Sequence, residues 1–411
     1  MKIAIVGTGV SGLVAAHLLK TKHQLTLYEA ADYVGGHTNT IRVDTAYETQ
    51  YIDTGFIAMN NRNYPHFTAL LKELGVRTRK THMSFSVKDE NEDFEYAGTP
   101  MGLFCQPKNL VSPSFHKMIH ELFRFNKELK KLLLTEENNE SLSQFLERLH
   151  FSSSFTRRLI VPQVSAVWSA DPRQMDSFPV RFIAEFFDNH GMLGFRDRPA
   201  WSTIKGGSSC YVNEITKPFQ DSIRLASPVA SITRYPEHVT VHVKGQEPEN
   251  YDQVIIAVHS DQALAMLEDA GPEEQRILGA IPYQQNEVVL HTDSSLLPRR
   301  HHARSAWNFH LLKEPKPLTT VTYYMNLLQG LKSRNDYCVT LNHSDVIGPD
   351  KIIKTISYAH PVYTAQGMKA QKEQARISLL NTRTHYCGAY WGWGFHEDGV
   401  KSAIEACQPL L

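Results

Sequence analysis

The sequence has few cysteines and no CxxC pair; Cys105, Cys210, Cys338, Cys387 and Cys407 are scattered along the chain. An odd, dispersed set excludes a disulfide framework and a cysteine-held metal cluster, and predicts free thiols in a reducing compartment. There is no excess of either charge: 43 Lys and Arg stand against 43 Asp and Glu. The basic footprint of a nucleic-acid binder is therefore missing. No G-x-S-x-G occurs, so an acyl hydrolase lacks its motif. The 20 histidines show no metal-ligand spacing, and His301-His302 lies in PRRHHAR, which reads as a solvated loop. No metal is expected. Beyond the N-terminus no run approaches the ~18 apolar residues of a spanning helix. The N-terminus, Lys2 followed by IAIVGTGVSGLVAAHLL, has the outline of a signal peptide, but its glycines follow another spacing. A cytoplasmic protein is expected.

With 411 residues the chain has room for more than one core. Residues 2–6 (KIAIV) are a short β-branched run, as in a buried parallel strand. Gly7-Thr8-Gly9-Val10-Ser11-Gly12 follows, then helix formers, then a second strand, QLTLY, ending at Glu29-Ala30. Each part has its own physics. Gly7 permits a tight strand-to-helix turn, Gly9 lets backbone approach a pyrophosphate, and Gly12 lets the helix pack on the strand. The helix N-terminus, at Val10 and Ser11, offers free N–H groups and partial positive charge to phosphates. Glu29 suits ribose hydroxyls, and its charge argues against a 2′-phosphate. The ordered set predicts dinucleotide binding where a lone glycine triplet would not.

A glycine doublet, Gly35-Gly36, followed by His37-Thr38, separates FAD from NAD by offering a second backbone approach to the cofactor. With this doublet the chain resembles the flavin-containing amine oxidase superfamily, which includes monoamine oxidase, protoporphyrinogen oxidase and phytoene desaturase. Tyr33 and His37 stand near where those relatives commonly carry arginines. GGHTNT, with Asp53-Thr54-Gly55-Phe56, is similar to a bacterial branch often encoded beside cyclopropane fatty-acid synthases. The resemblance implies an α/β fold: a Rossmann-like FAD-binding domain of GR2 type with an inserted, mixed α+β substrate domain. It divides the chain into residues 1–65, 202–285 and 375–411 for FAD, and 66–201 and 286–374 for substrate. It also implies that the strand around Val229 contacts adenine, and that Gly388 with Glu397-Asp398-Gly399-Val400 brings backbone to the flavin.

Between these ends, periodicity predicts a helix over 60–75, strands over 82–97, and helices over 113–134, 141–150, 154–168 and 178–190. One strand is expected over 223–234, others over 238–243 and 251–258, and two more over 286–292 and 319–326. The many phenylalanines of the helical block read first as core, with some free to line an apolar tunnel. Catalytic candidates are Lys205 and His396 as proton relays, and Tyr390 and Trp391, with Trp393 beside them, as walls before the ring. Three functions stay open: dehydrogenation of an apolar, lipid acyl-type substrate, amine oxidation, or a non-catalytic flavin module. The expected cofactor is non-covalent FAD. Expected partners are a small-molecule or lipid substrate and, through the branch resemblance, a lipid-modifying methyltransferase. The basic loop 298–304 is the candidate for peripheral contact with an inner membrane surface.

Overall fold

The computed structural model describes residues 1–135, 140–168, 178–194, 198–380 and 383–411. Its centre is a five-stranded sheet in the order Ile223–Arg224, Gln24–Tyr28, Lys2–Val6, Gln253–Ile256 and Thr384–Tyr386, with every pairing parallel. Strand residues alternate between two faces, and each face of Lys2–Val6 finds its own core. Ile3 and Ile5 pack with Leu13 and Val14 of the helix Val10–Leu19, and with Val400 and Ala403 of the helix His396–Cys407. Ala4 and Val6 face a three-stranded antiparallel sheet carrying Val229, Ile232 and Val241. Burial on both faces explains why KIAIV has no polar alternation.

A second sheet has seven strands, in the order Ile352–Pro361, Tyr283–His291, Cys338–Leu341, Val321–Tyr324, Trp307–Leu311, Phe85–Asp89 and Phe94–Ala97. It is antiparallel except where Trp307–Leu311 runs parallel to Phe85–Asp89. The helices Pro113–Leu132, Leu142–Arg148 and Val180–Asn189 close over it around a phenylalanine-rich core that includes Phe125, Phe145, Phe155 and Phe187. A small sheet of Met59–Asn60, Trp201–Ile204 and Thr78–Lys80 lies where the chain crosses between the two bodies.

Two expectations need correction. Residues 223–234 are two strands, Ile223–Arg224 in the parallel sheet and Val229–Arg234 in the antiparallel one. Ala226 at φ 47° and Pro228 between them turn the chain out of the first ladder. The stretch 154–168 is helical but not uniformly so. A π-helical turn, Thr156–Ile160, precedes the α-helix Val161–Trp168, and Pro162 occupies the changeover. Pro179 stands immediately before Val180–Asn189.

The basic loop is also less basic than its sequence. Arg300 pairs with Glu95 at 2.7 Å and Asp93 at 3.1 Å. The buried Glu95 carboxylate also accepts the backbone N–H groups of Arg299 and Arg300. Arg304 reaches Asp336 at 3.9 Å and donates to the Pro298 carbonyl. Trp307, just beyond this loop, lies on a strand and lines an internal cavity. No helix among the described residues is long and apolar enough to cross a membrane.

Candidate functional site

The first turn is built as its spacing requires. Gly7 sits at φ 100°, and a Cβ there would meet the Ala257 carbonyl at 2.7 Å. A Cβ on Gly12 would collide with the Gly7 carbonyl, so this glycine seats the helix on the strand. Gly9 differs: a Cβ there would meet nothing within 4 Å, because it faces a cavity. The doublet completes the cradle. Gly35 and Gly36 take φ 126° and 57°, and a Cβ on Gly36 would come within 3.2 Å of Gly9 Cα. Two backbone segments without side chains thus meet at the same edge of the cavity.

Glu29 lines that edge. The Thr8 hydroxyl and the Thr8 N–H donate to its Oε2, the latter at 3.1 Å, and the Ala31 N–H donates to Oε1 at 2.9 Å. These donors hold the carboxylate in place before any ligand arrives. Ala30 and Val229 line the same end of the cavity, as do Val10 and Ser11 at the helix start.

Beyond the cradle stand histidines that sequence reasoning largely missed. His37 stacks on Tyr358 with ring centres 4.8 Å apart, and lies 5.4 Å from His360 and 6.0 Å from His259. The three imidazoles come from three distant segments, and all line the cavity. Burial lowers His37 and His259 to about 4 and His360 to about 3, so they are neutral at pH 7. His37 Nε2 is a buried polar atom with no hydrogen-bond partner among the described residues. Its place after the doublet flagged His37 in the sequence; His259 and His360 carry no motif.

The C-terminal motif divides its labour differently from expectation. Gly388, Tyr390 and His396 line the cavity, joined by Trp393 and Phe395. His396 is stacked on Phe56 at 3.6 Å, and its Nε2 bonds the Thr38 hydroxyl at 2.9 Å and the Tyr211 hydroxyl at 3.2 Å. Burial holds this imidazole far below its ordinary pKa, which leaves it neutral and fixed, ill suited to relay protons. Thr38 therefore stands behind His396 rather than at the cavity.

Glu397 turns away to another helix. Its carboxylate accepts the backbone N–H groups of His66 at 3.0 Å and Phe67 at 2.9 Å, and the His66 ring at 2.6 Å. It caps Pro65–Glu73, whose first N–H groups have no partners within their own helix. Asp398 accepts the Trp393 N–H at 3.0 Å and the Phe395 N–H at 2.9 Å, and so shapes the aromatic loop. Gly399 is a crossing point: a Cβ would meet Val10 Cγ1 at 2.7 Å and Ser11 Oγ at 2.9 Å. Val400 is core. None of these four lines the cavity; they hold the two helices and the loop that do.

Two catalytic candidates are placed elsewhere. Lys205 is exposed and borders a separate pocket with Arg79, Gly206 and Gln329. The turn at Gly206-Gly207, with φ 85° and 94°, carries it away from the main cavity. Trp391 packs against the core behind the parallel sheet and does not line the cavity. Among the described residues no group of three or more His, Cys, Asp or Glu side chains is placed to hold a metal.

The cavity as a whole has a volume of about 1270 Å³. That exceeds the roughly 300–1,000 Å³ of a site for one drug-sized ligand. One end is the glycine cradle. The other is a chamber between the helical block and the second sheet, walled by Phe85, Leu103, Met118, Leu122, Trp168 and Met192.

The flavin-containing amine oxidoreductase pattern matches residues 10–326, most of this chain. The chain belongs to that family. Its cofactor is accordingly a flavin. Among curated relatives of this flavin-containing chain, Protoporphyrinogen oxidase 2 of Arabidopsis thaliana is 30% identical over 188 residues, 43% of this chain and 35% of that protein. The chain spans about a third of the length of the curated relatives it first matches. Among solved structures, cyclohexylamine oxidase from Brevibacterium oxydans superposes with a TM-score of 0.72 at 16% identity, covering 100% of this chain and 98% of that one. A fatty acid isomerase from P. acnes does so with a TM-score of 0.70 at 15% identity, covering 100% and 98%. At such identities these likenesses concern the fold: an α/β flavin-binding architecture.

Proposed function

We propose that this family member is an FAD-dependent oxidoreductase acting on a long apolar substrate of lipid acyl type. The observation that carries the reading is the continuity of the cavity, with a dinucleotide cradle at one end and an apolar chamber at the other. When bound, FAD supplies an acceptor for hydride at N5. The chain's part is binding, orientation and exclusion of water. Open space at Gly9, the approach of Gly36 and the unpartnered His37 Nε2 fit a pyrophosphate there. Glu29 would take the ribose hydroxyls and the backbone near Val229 the adenine. The N-terminus of His396–Cys407 and the backbone at Gly388 would face the ring, where a helix dipole favours negative charge. Tyr390, Trp393 and Phe395 would wall the ring's surroundings. On this reading the fold is of GR2 type, with residues 66–201 and 286–374 as the inserted substrate domain.

FAD would be held without a covalent bond. Cys387, which directly precedes the cavity-lining Gly388, is buried core, with its thiol driven well above its ordinary pKa by burial. An amine substrate is the second reading, favoured by the ring cluster His190, Trp393 and Phe395 at one wall of the chamber. Anaerobic bleaching of the flavin with a panel of fatty acids, detergent-dispersed phospholipids and amines decides between them. Bleaching by acyl substrates supports the proposal, bleaching by amines alone replaces it, and bleaching by neither points to the non-catalytic module.

A further inference from the structure

Exposed apolar side chains are unevenly distributed over this molecule. Within residues 101–134, Met101 is 64% exposed, Leu110 56%, Val111 80%, Phe123 52% and Leu134 89%. The same short stretch carries Lys108, Lys117, Arg124, Lys127, Lys130 and Lys131 against only Glu121 and Glu128, in a chain of net charge zero. These acids offset one lysine of the six basic residues, Lys131. Glu121 is buried, accepting from the Ser152 hydroxyl and N–H, and Glu128 is paired with Lys131 at 2.7 Å.

Helical geometry places these groups together. On Pro113–Leu132 the exposed positions His116, His120, Phe123, Lys127 and Lys130 recur at intervals of three and four, so they share one face. Leu134 follows directly at the end of that stripe. Leu110 and Val111 lie at its start, where the His116 ring meets the Leu110 carbonyl at 2.8 Å. The inner side of this helix carries Met118 and Leu122, which line the cavity, as does Ile119 at the edge of the stripe, one turn before Phe123. Gly98, Thr99 and Phe123 line the cavity and are also exposed, so the apolar chamber reaches the surface beside this face.

We infer that the outer face of residues 100–134 is a membrane-docking surface for an anionic lipid bilayer, set at the mouth of the apolar chamber. Protruding apolar side chains on a lysine ground match the layered chemistry of such a bilayer, with acyl chains below an anionic headgroup plane. Scattered apolar exposure is ordinary on proteins, but a cluster beside a cavity mouth marks an interaction site. The loop 298–304, whose Arg300 is bound to Asp93 and Glu95, is not the docking element. The role given to this surface, delivery of an acyl chain to the chamber, rests on the proposed function; the binding itself does not.

The test is co-sedimentation of the flavin-loaded, full-length protein with vesicles of phosphatidylcholine alone, or of phosphatidylcholine mixed with phosphatidylglycerol, at low and high salt. Binding to the phosphatidylglycerol vesicles, weakened by salt, is expected. Val111→Ser with Leu134→Ser should lower the bound fraction roughly five-fold, and Lys127→Glu with Lys130→Glu should lower it at least as much. Arg299→Ser should leave it unchanged. Flavin absorbance and thermal unfolding of each variant report whether it is folded, and these surface positions leave the core intact. Equal binding to both vesicle types, no binding to either, or binding untouched by both double variants overturns the inference. Vesicle binding without flavin bleaching by any lipid leaves the surface standing and overturns only the acyl substrate.

Discussion

The two ends of the cavity are built on opposite principles. The cradle is made by leaving side chains out: Gly9 faces open space, and Gly36 comes close to it because neither carries a Cβ. The chamber is made by putting large side chains in, with Phe85, Met118, Leu122 and Trp168 forming its walls. The first kind of site writes itself into a sequence, because glycine at a left-handed φ or a close approach has no substitute. The second does not. A phenylalanine that lines a chamber and one that fills a core obey the same burial preference, as Trp168, which does both, illustrates.

The largest expected effect tests whether the histidines around the cavity and in the adjoining second sheet are as buried as they look. His37, His190, His259, His291, His310 and His360 all lie at about 4 or below in the folded chain, and His396 is lowered too. Their folded values are depressed below the ordinary ~6.5, so the unfolded chain binds more protons. Stability is then fully present above about pH 6.5 and is lost as pH falls towards 4, by about 2 kcal/mol per imidazole at pH 5. Asp53 and Asp398, raised to about 6 by burial, work in the opposite sense and gain as pH falls through 6, but they are fewer. The flavin-free protein should therefore unfold in mild acid, checked by circular dichroism between pH 7.5 and 4. A flat profile would mean that these rings reach solvent.

Gly9→Val sharpens the comparison at the cradle. The added Cβ meets no protein atom within 4 Å and the branched side chain projects into cofactor space, so FAD affinity should fall by about 1,000-fold, near 4 kcal/mol, at unchanged thermal stability of the flavin-free chain. Calorimetric titration with FAD reads this directly. A smaller loss is expected for Glu29→Ala, which removes a charged acceptor worth roughly 1.5–3 kcal/mol to the ribose. Unchanged affinity would show that the Thr8 and Ala31 donors, rather than the ribose, are its only partners.

The smallest effect separates support from contact. Glu397→Gln should cost about 1 kcal/mol of stability through the weakened cap on Pro65–Glu73, with no change in FAD affinity. Reduced affinity at unchanged stability would return Glu397 to the cofactor site.

Legibility followed the same divide. The strand, glycine turn, helix and Glu29 at the N-terminus were readable because each is a local requirement met by adjacent residues. Gly388 and Tyr390 line the cavity, as the partial motif suggested, but Glu397, Asp398, Gly399 and Val400, expected at the cofactor as well, do not. These four and His396 occupy one helix start, and helical rotation alone decides that His396 faces the cavity while Glu397 faces Pro65–Glu73. Lys205 was misplaced because a turn of two positive-φ glycines sends it outward, and composition cannot show direction.

Sequence alone thus determined the parallel strand, the cradle and the family, since these depend on backbone geometry that few residue types permit. Tertiary structure alone decided the rest. It brought His37, His259 and His360 together from three segments, paired the arginine of a basic-looking loop with Glu95, and left a lysine-rich, apolar face exposed at the chamber mouth. Those outcomes depend on which distant surfaces meet, and contacts between residues far apart in the chain leave no periodicity or spacing to read.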